Sequence, residues 1–209
     1  MPFRTRVKIC GITRPDDAYA AIENGADALG FVFYDKSPRS IEIQKAEILF
    51  SNISPFINKV ALFVNPDYDY VNHVLSKLPV DLLQFHGDED EVFCSSFNKP
   101  YLKAIRMRNC INLDEVADTY HSASGLLLDA FDSSQYGGTG QTFDWDLIPK
   151  KCKLPIVLAG GLNPSNVSKA IQNTNVFALD VSSGVEKSKG VKDHQLIKQF
   201  MQEVKRANE

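Results

Sequence analysis

The chain has 209 residues, of which 44% are hydrophobic and 23% are charged, and this composition is typical of a folded globular protein. It excludes a disordered or collagen-like chain, and the length fits a single α/β barrel domain over residues 1–209. Because the net charge is −3, we expect no nucleic-acid or membrane partner, so local groups must bind any anionic ligand.

The N-terminal residues and the cysteines indicate a reduced, cytoplasmic protein. The first six residues lack the apolar stretch of a signal peptide, and no later apolar run reaches the ~20 residues of a membrane-spanning helix. Cys10, Cys94, Cys110 and Cys152 form no C-x-x-C pair. We therefore expect neither a disulfide framework nor a zinc site.

Eight short apolar runs alternate with segments of helical period, which is the pattern of βα units that build a parallel sheet. The predicted strands cover residues 7–10, 28–33, 59–64, 82–85, 102–105, 126–129, 156–159 and 177–181. Eight units with short connections favour a closed (β/α)8 TIM barrel over an open doubly wound sheet.

Helix starts are predicted between these strands. A capping box places one start at Thr13, and an asparagine followed by proline places two others at Asn65 and Asn163. Acidic residues at 88–91 indicate another first helical turn. The sixth unit is the least regular, because residues 137–141 interrupt it before a helix near Trp145.

Polar residues end four of the predicted strands, where barrels of this kind carry their active sites. Cys10, His86, Asp129 and Asp180 occupy these positions, and Lys8 shares a strand face with Cys10. Simpler explanations exist, since a cysteine is often a small buried hydrophobe and an aspartate often caps a helix. For His86, a structural contact and a contact with a ligand are both consistent with the sequence.

Three glycine-rich turns follow the last three strands, at residues 137–140, 160–161 and 182–184. Glycines let backbone N–H groups approach an anion, and the last loops of such barrels often bind phosphate. The candidate phosphate ligands are Gly138, Thr139, Gly140, Gly160, Gly161, Ser182, Ser183 and Gly184. The alternative is that these are ordinary turns in which glycine supplies a positive φ angle.

Arg39 and the four histidines are the remaining candidates for binding a carboxylate or a metal ion. Arg39 lies on a loop stiffened by Pro38 and could bind a carboxylate through two hydrogen bonds, although a solvated arginine is the simpler explanation. The four histidines form neither an H-x-H nor an H-E-x-x-H pattern, so we expect no metal site.

Six segments together resemble the phosphoribosylanthranilate isomerase family of the tryptophan pathway. They comprise residues 8–13; 30–33 with 37–39; 84–89; 136–140 with 143–145; 159–162 with 164, 166 and 167; and 180–186 with 190, 192 and 193. Their order and spacing are highly specific and span residues 7 to 193. The sequence departs from the family pattern at Asp35, Ala61 and Phe85, none of which is a presumed catalytic position.

The resemblance implies a (β/α)8 barrel with no metal or organic cofactor that acts on a small phosphorylated substrate. The implied reaction is the Amadori rearrangement of N-(5-phosphoribosyl)anthranilate to 1-(2-carboxyphenylamino)-1-deoxyribulose 5-phosphate. The family pattern implies Asp129 as general acid, Cys10 as general base and Arg39 as ligand of the anthranilate carboxylate, with His86 and Asp180 also binding substrate. We expect a monomer or a homodimer.

These roles require shifted pKa values. Burial or a neighbouring anion such as Asp180 must raise the pKa of Asp129, and Lys8 is expected to lower the pKa of Cys10. The rival barrels are a metal-dependent ribulose-phosphate epimerase and an indole-glycerol-phosphate synthase, whose metal ligands or catalytic lysines are not matched here. A non-catalytic phosphosugar-binding barrel and an enzyme with Cys10 as nucleophile are the remaining alternatives.

Overall fold

The computed structural model describes residues 4–108, 111–130 and 142–209. Its main strands are β1 (Arg6–Cys10), β2 (Ala28–Val32), β3 (Asn58–Phe63), β4 (Leu82–Phe85), β5 (Tyr101–Met107), β6 (Gly125–Ala130), β7 (Ile156–Leu158) and β8 (Ala178–Val181). They pair in parallel in chain order, and β8 pairs with β1, which closes the barrel. The predicted (β/α)8 fold and all eight predicted strands are confirmed.

Helices follow most of the strands. They are α1 (Pro15–Glu23), α2 (Ile43–Ser51), α3 (Tyr68–Lys77), α4 (Glu91–Ser95), α5 (Leu113–Thr119), α6 (Val167–Asn173) and α7 (His194–Ala207). A short antiparallel hairpin of β9 (Glu186–Ser188) and β10 (Val191–Lys192) lies between β8 and α7. No helix among the described residues is long and apolar enough to cross a membrane.

The sixth unit differs from the others, as its sequence indicated. Between β6 and β7 the described residues form a single turn of 3-10 helix at Trp145–Leu147 and no α-helix. The prediction of a regular helix near Trp145 is therefore wrong, because this segment forms only a 3-10 turn. Residues 131–141, which include the glycine-rich turn at 137–140, lie outside the described part of the chain.

The large hydrophobic core directs the polar strand residues toward the inside of the barrel. Val7 and Ile9 of β1 belong to this core, and so do Leu179 and Val181 of β8. Because side chains alternate along a strand, the residues between and beside them point to the opposite face. The inner face of the barrel is thereby left to residues such as Asp180, as the sequence pattern predicted.

Three helices begin later than predicted, because the expected capping side chains have other partners. Helix α1 begins at Pro15, and the Thr13 hydroxyl donates to the carbonyl oxygen of Gly190 at 2.7 Å. Asn65 has a φ of 45° and its side chain accepts from the backbone N–H of Asp88 at 2.7 Å. Helix α3 therefore begins only at Tyr68.

Asn163 likewise caps no helix. Its side-chain oxygen accepts from the N–H of Ser165 at 2.9 Å within a turn, and α6 begins at Val167. The prediction around residues 88–91 is closer, since α4 begins at Glu91 and the Asp90 carboxylate caps it. Local sequence thus indicated that helices follow these strands but did not define their first residues.

Candidate active site

A cavity of about 950 Å³ opens at the carboxyl ends of the barrel strands. The predicted site residues that line it are Cys10, Arg39, His86, Asp129, Gly160, Gly161, Asp180, Ser182 and Ser183. Tyr34, Asp35, Lys36 and Lys189 also line it, without having been assigned a site role from sequence. Strand ends and loops that are far apart in sequence therefore meet in one place, as is usual for this architecture.

Strand register brings the first and last strands together at a buried ion pair. Lys8 of β1 lies opposite Asp180 of β8, and its Nζ donates to both carboxylate oxygens at 2.9 Å. Both side chains are less than a tenth exposed. Burial disfavours the charged form of Lys8, but Asp180 and Cys10 together outweigh burial, and the pKa of Lys8 lies above its ordinary value of 10.5.

Cys10 lies beside this pair, and its thiol differs from the sequence-based expectation. Burial raises the pKa of Cys10 above its ordinary value of 9.0, and Lys8 and Lys192 offset only part of that effect. The expectation that Lys8 lowers this pKa below the ordinary value is therefore wrong. The physical reason is that burial of the thiol is the largest effect, and the negative charge of Asp180, which pairs with Lys8, also disfavours a thiolate.

Gly30 provides the space for these side chains. It lies opposite Cys10 in the pairing of β1 with β2. A Cβ built on Gly30 would lie 2.8 Å from Cys10 Sγ and 2.9 Å from Lys8 Cε, which is closer than real Cβ atoms approach. Sequence analysis missed this role, although a lone glycine inside an apolar strand often marks a close approach.

Asp129 is buried at the end of β6 and is held by two hydrogen bonds. Its Oδ1 accepts from the N–H of Ala130 at 2.9 Å, and its Oδ2 lies 3.1 Å from His86 Nε2. The amide nitrogen of Gln84 lies 3.0 Å from His86 Nδ1, so Gln84 and Asp129 contact the two ring nitrogens of His86. His86 thus contacts the predicted acid directly.

Arg39 is buried rather than solvated. Its Nε and Nη2 donate to the two carboxylate oxygens of Glu186 at 2.8 Å each, and its side chain is 10% exposed. Lys192 donates from the other side to Glu186 Oε1 at 2.8 Å. The solvated-arginine alternative is therefore wrong.

Glu186 and Lys192 belong to the motif set that carries the family resemblance, but sequence reasoning assigned no role to either. The signal that could have found them is a carboxylate and a lysine on either side of Gly190, just after the turn at 182–184. The Lys192 side chain is fully buried, which is rare for a lysine unless it is paired.

The turns after β7 and β8 form one wall of the cavity. Gly160 and Gly161 have φ angles of 81° and 63°, a region that favours glycine. The Ser182 hydroxyl donates to the Cys10 carbonyl at 3.1 Å, which ties the last turn to β1. Gly184 lies outside the main cavity and lines an adjoining one of about 370 Å³. Gly138, Thr139 and Gly140 lie outside the described residues.

The fold and the site together define a (β/α)8-barrel enzyme. A buried thiol, a hydrogen-bonded carboxyl group, an arginine and glycine-rich turns face one cavity, which suits proton transfer on a small anionic molecule. Within the described part of the chain, no group of three or more His, Cys, Asp or Glu residues is arranged to hold a metal ion.

Comparison with known proteins identifies the family. The family model of N-(5'-phosphoribosyl)anthranilate (PRA) isomerase matches residues 7–203. An N-(5'-phosphoribosyl)anthranilate isomerase of Pseudomonas fluorescens is 50% identical over 96% of this chain and 98% of that protein. The crystal structure of phosphoribosyl anthranilate isomerase from Thermotoga maritima has 40% identity and a TM-score of 0.89, covering 97% of this chain and 99% of that chain.

A second solved structure contains a ligand. It is a phosphoribosyl anthranilate isomerase in complex with reduced 1-(o-carboxyphenylamino)-1-deoxyribulose 5-phosphate, with 38% identity, a TM-score of 0.86 and coverage of 97% of this chain and 99% of that chain. The chain described here belongs to the N-(5'-phosphoribosyl)anthranilate isomerase family. This membership decides against the epimerase and the indole-glycerol-phosphate synthase.

Proposed function

We propose that the chain catalyses the Amadori rearrangement of N-(5-phosphoribosyl)anthranilate to 1-(2-carboxyphenylamino)-1-deoxyribulose 5-phosphate in tryptophan biosynthesis. The observation that carries this proposal is that Cys10, Asp129 and Arg39 face one cavity, in a chain that belongs to the isomerase family. The reaction needs an acid, a base and anchors for two anionic ends of one small substrate.

Asp129 is the general acid in this mechanism. Its carboxyl group protonates the ribose ring oxygen, so that the ring opens to a protonated Schiff base. His86 Nε2 lies 3.1 Å from one carboxyl oxygen, and the Ala130 N–H donates to the other. A carboxyl group held at both oxygens keeps a single orientation, which favours proton delivery to one atom of the substrate.

Cys10 is the general base and removes the proton from C2′ of the Schiff base. The electron pair of that C–H bond forms the C1′=C2′ double bond, and the π pair of the C=N bond passes to the nitrogen. The product is an enolamine that tautomerises to the ketone. In the free site burial raises the pKa of Cys10. The positive Schiff base, once formed next to the sulfur, adds to the cationic effect of Lys8 and Lys192 and favours the thiolate when it is needed.

The anionic ends of the substrate are bound on opposite sides of the reacting atoms. Arg39 takes the anthranilate carboxylate, and Asp180 contacts the substrate near its ribose or bridging nitrogen. The phosphate is bound by the backbone amides of the turns after the last strands, at Gly160, Gly161 and residues 182–184. The ligand of the related isomerase carries the same carboxyl and phosphate groups, which supports a cavity with two anionic subsites.

The test is to mix the purified protein with freshly made substrate and to follow anthranilate fluorescence. Cys10→Ala and Asp129→Asn are each expected to lower kcat at least about 100-fold, because a positioned acid or base contributes roughly 10² to 10⁴. The double variant should be little worse than either single variant, since both groups serve one reaction sequence.

Cys152→Ala is the matched control, because Cys152 is a free cysteine that does not line the cavity. It should retain the wild-type rate. If the wild-type chain does not accelerate the reaction, the proposal fails and a non-catalytic phosphosugar-binding barrel is favoured. Activity of Cys10→Ala within tenfold of wild type would instead reject this residue as the base while leaving the isomerase activity in place.

Three further expectations stay predictions. We propose that residues 1–209 act as one barrel domain, that the chain is a monomer or a homodimer, and that it acts in the cytoplasm. Each is independent of the chemistry proposed for the cavity.

A further inference from the structure

Glu186 lies between two cations at the edge of the cavity. Its Oε1 accepts from both Arg39 Nε and Lys192 Nζ, and its Oε2 accepts from Arg39 Nη2, all at 2.8 Å. The Glu186 side chain is 4% exposed and the Lys192 side chain is fully buried. One buried carboxylate thus holds both the Arg39 guanidinium and the Lys192 amine in place.

Packing against Gly11 restricts the aliphatic part of the Arg39 side chain, in addition to the hydrogen bonds that hold its guanidinium group. A Cβ on Gly11 would lie 2.6 Å from Arg39 Cδ, so the arginine stem runs directly over this glycine. With Nε and one Nη2 hydrogen committed to Glu186, the donors left for a ligand are those of Nη1 and the second hydrogen of Nη2. Among the described residues, none accepts a hydrogen bond from Nη1.

Lys192 connects the Glu186 carboxylate to the turn after β8. Lys192 Nζ donates to the carbonyl oxygen of Ser182 at 3.1 Å, in addition to its bond to Glu186. One continuous set of charge-assisted hydrogen bonds therefore runs from Arg39 through Glu186 and Lys192 to Ser182. The two ends of this set belong to the proposed carboxylate and phosphate subsites.

We propose that Glu186 is a positioning residue that aims Arg39 at the substrate carboxylate and holds it at a defined distance from the phosphate-binding turn. This inference rests on the role of Arg39 in the proposed function. Glu186 itself touches no substrate atom. Removal of the Glu186 carboxylate lets the Arg39 guanidinium rotate. This weakens binding of the substrate carboxylate and leaves the proton-transfer steps unchanged.

The experiment compares two substrates, the natural one and an analogue made from aniline, which lacks the carboxylate. Glu186→Gln removes the charge but keeps the shape of the side chain. We expect it to raise KM for the natural substrate about tenfold or more, to change kcat by less than about threefold, and to leave KM for the analogue within about twofold. Added to Arg39→Lys, it should cause no further loss, since both changes remove one interaction.

The control is Glu89→Gln at a second buried ion pair. Glu89 lies 2.7 Å from Lys103, and both side chains are 3% exposed, but neither residue lines the cavity. It should lower thermal stability, and any change in its KM should be the same for both substrates. If Glu186→Gln does not fold, Glu186→Asp keeps the charge with a shorter reach and should show a smaller, still carboxylate-dependent rise in KM.

The possible outcomes separate the two proposals. If Arg39→Lys raises KM equally for both substrates, the carboxylate role of Arg39 in the proposed function is wrong, and the inference falls with it. If Arg39→Lys is selective for the natural substrate and the Glu186 variants are not, the positioning role alone is overturned.

Discussion

Adding one methyl group at Gly30 tests whether the position of the Cys10 sulfur controls the rate. The new Cβ would lie 2.8 Å from Cys10 Sγ and 2.9 Å from Lys8 Cε. Non-bonded carbon contacts are about 3.5–4.0 Å, so the sulfur and the lysine stem must retreat by roughly 1 Å. A displacement of about 1 Å can cost roughly 100-fold in rate, and we expect Gly30→Ala to lower kcat by about that factor.

The fold should survive this change. Overpacking costs about 1–3 kcal/mol, and replacing a strand glycine by alanine returns about 0.5–1 kcal/mol. The anthranilate fluorescence assay gives kcat, and a thermal melt of the same sample gives the stability. A kcat within about threefold of wild type, in a folded Gly30→Ala protein, would refute the link between this space and the base.

Gly125→Ala provides the matched control for steric crowding. A Cβ on Gly125 would lie 2.8 Å from the carbonyl oxygen of Pro155, the same distance as for Gly30 and Cys10. Gly125 begins β6, at the end of the strand opposite Asp129, and does not line the cavity. It should lower the melting temperature and leave kcat within about twofold. Equal losses of rate in both variants would mean that the Gly30 effect is general destabilisation.

Two other predictions concern the phosphate subsite and the thiol. Gly161→Val should raise KM for the phosphorylated substrate far more than it lowers kcat. Gly25 also has a positive φ, and Gly25→Val should lower stability without changing KM. Equal KM values in the two variants would contradict a phosphate role for Gly161. Because the pKa of Cys10 is raised above 9.0, its alkylation by iodoacetamide should accelerate about tenfold per pH unit without a plateau below pH 9. Cys94, with no exposure and a pKa of about 12, should stay unmodified and serves as internal control, while a Cys10 plateau near pH 7 would show a lowered pKa.

The residues that the sequence placed at strand ends share one cavity, because barrel geometry brings the ends of all the strands together. Cys10 and Asp180 were identified from their places at the ends of apolar runs, and register then placed Lys8 opposite Asp180. The helix starts at Thr13 and Asn65 were wrong for the opposite reason. Their side chains bond to groups on other loops, and such partners leave no trace in the local pattern.

The environment of Arg39 shows the same limit. Its partner Glu186 lies 147 positions away in the chain, and no local signal on the loop after β2 indicates it. The sequence reading of a solvated arginine was reasonable for an isolated loop. It failed because the β9–β10 hairpin folds over this loop and buries the guanidinium with a carboxylate.

The eight-stranded barrel was predictable from the amino-acid sequence, since short apolar runs and segments of helical period are local patterns that repeat along the chain. The sequence also determined which polar residues stand at the strand ends. The electrostatic environment of the Cys10 thiol, in contrast, could not be predicted from the sequence. Burial, the Lys8–Asp180 pair and the buried Lys192 together set the pKa of Cys10, and both desolvation and Coulomb energy depend on distances in space rather than on separation in sequence.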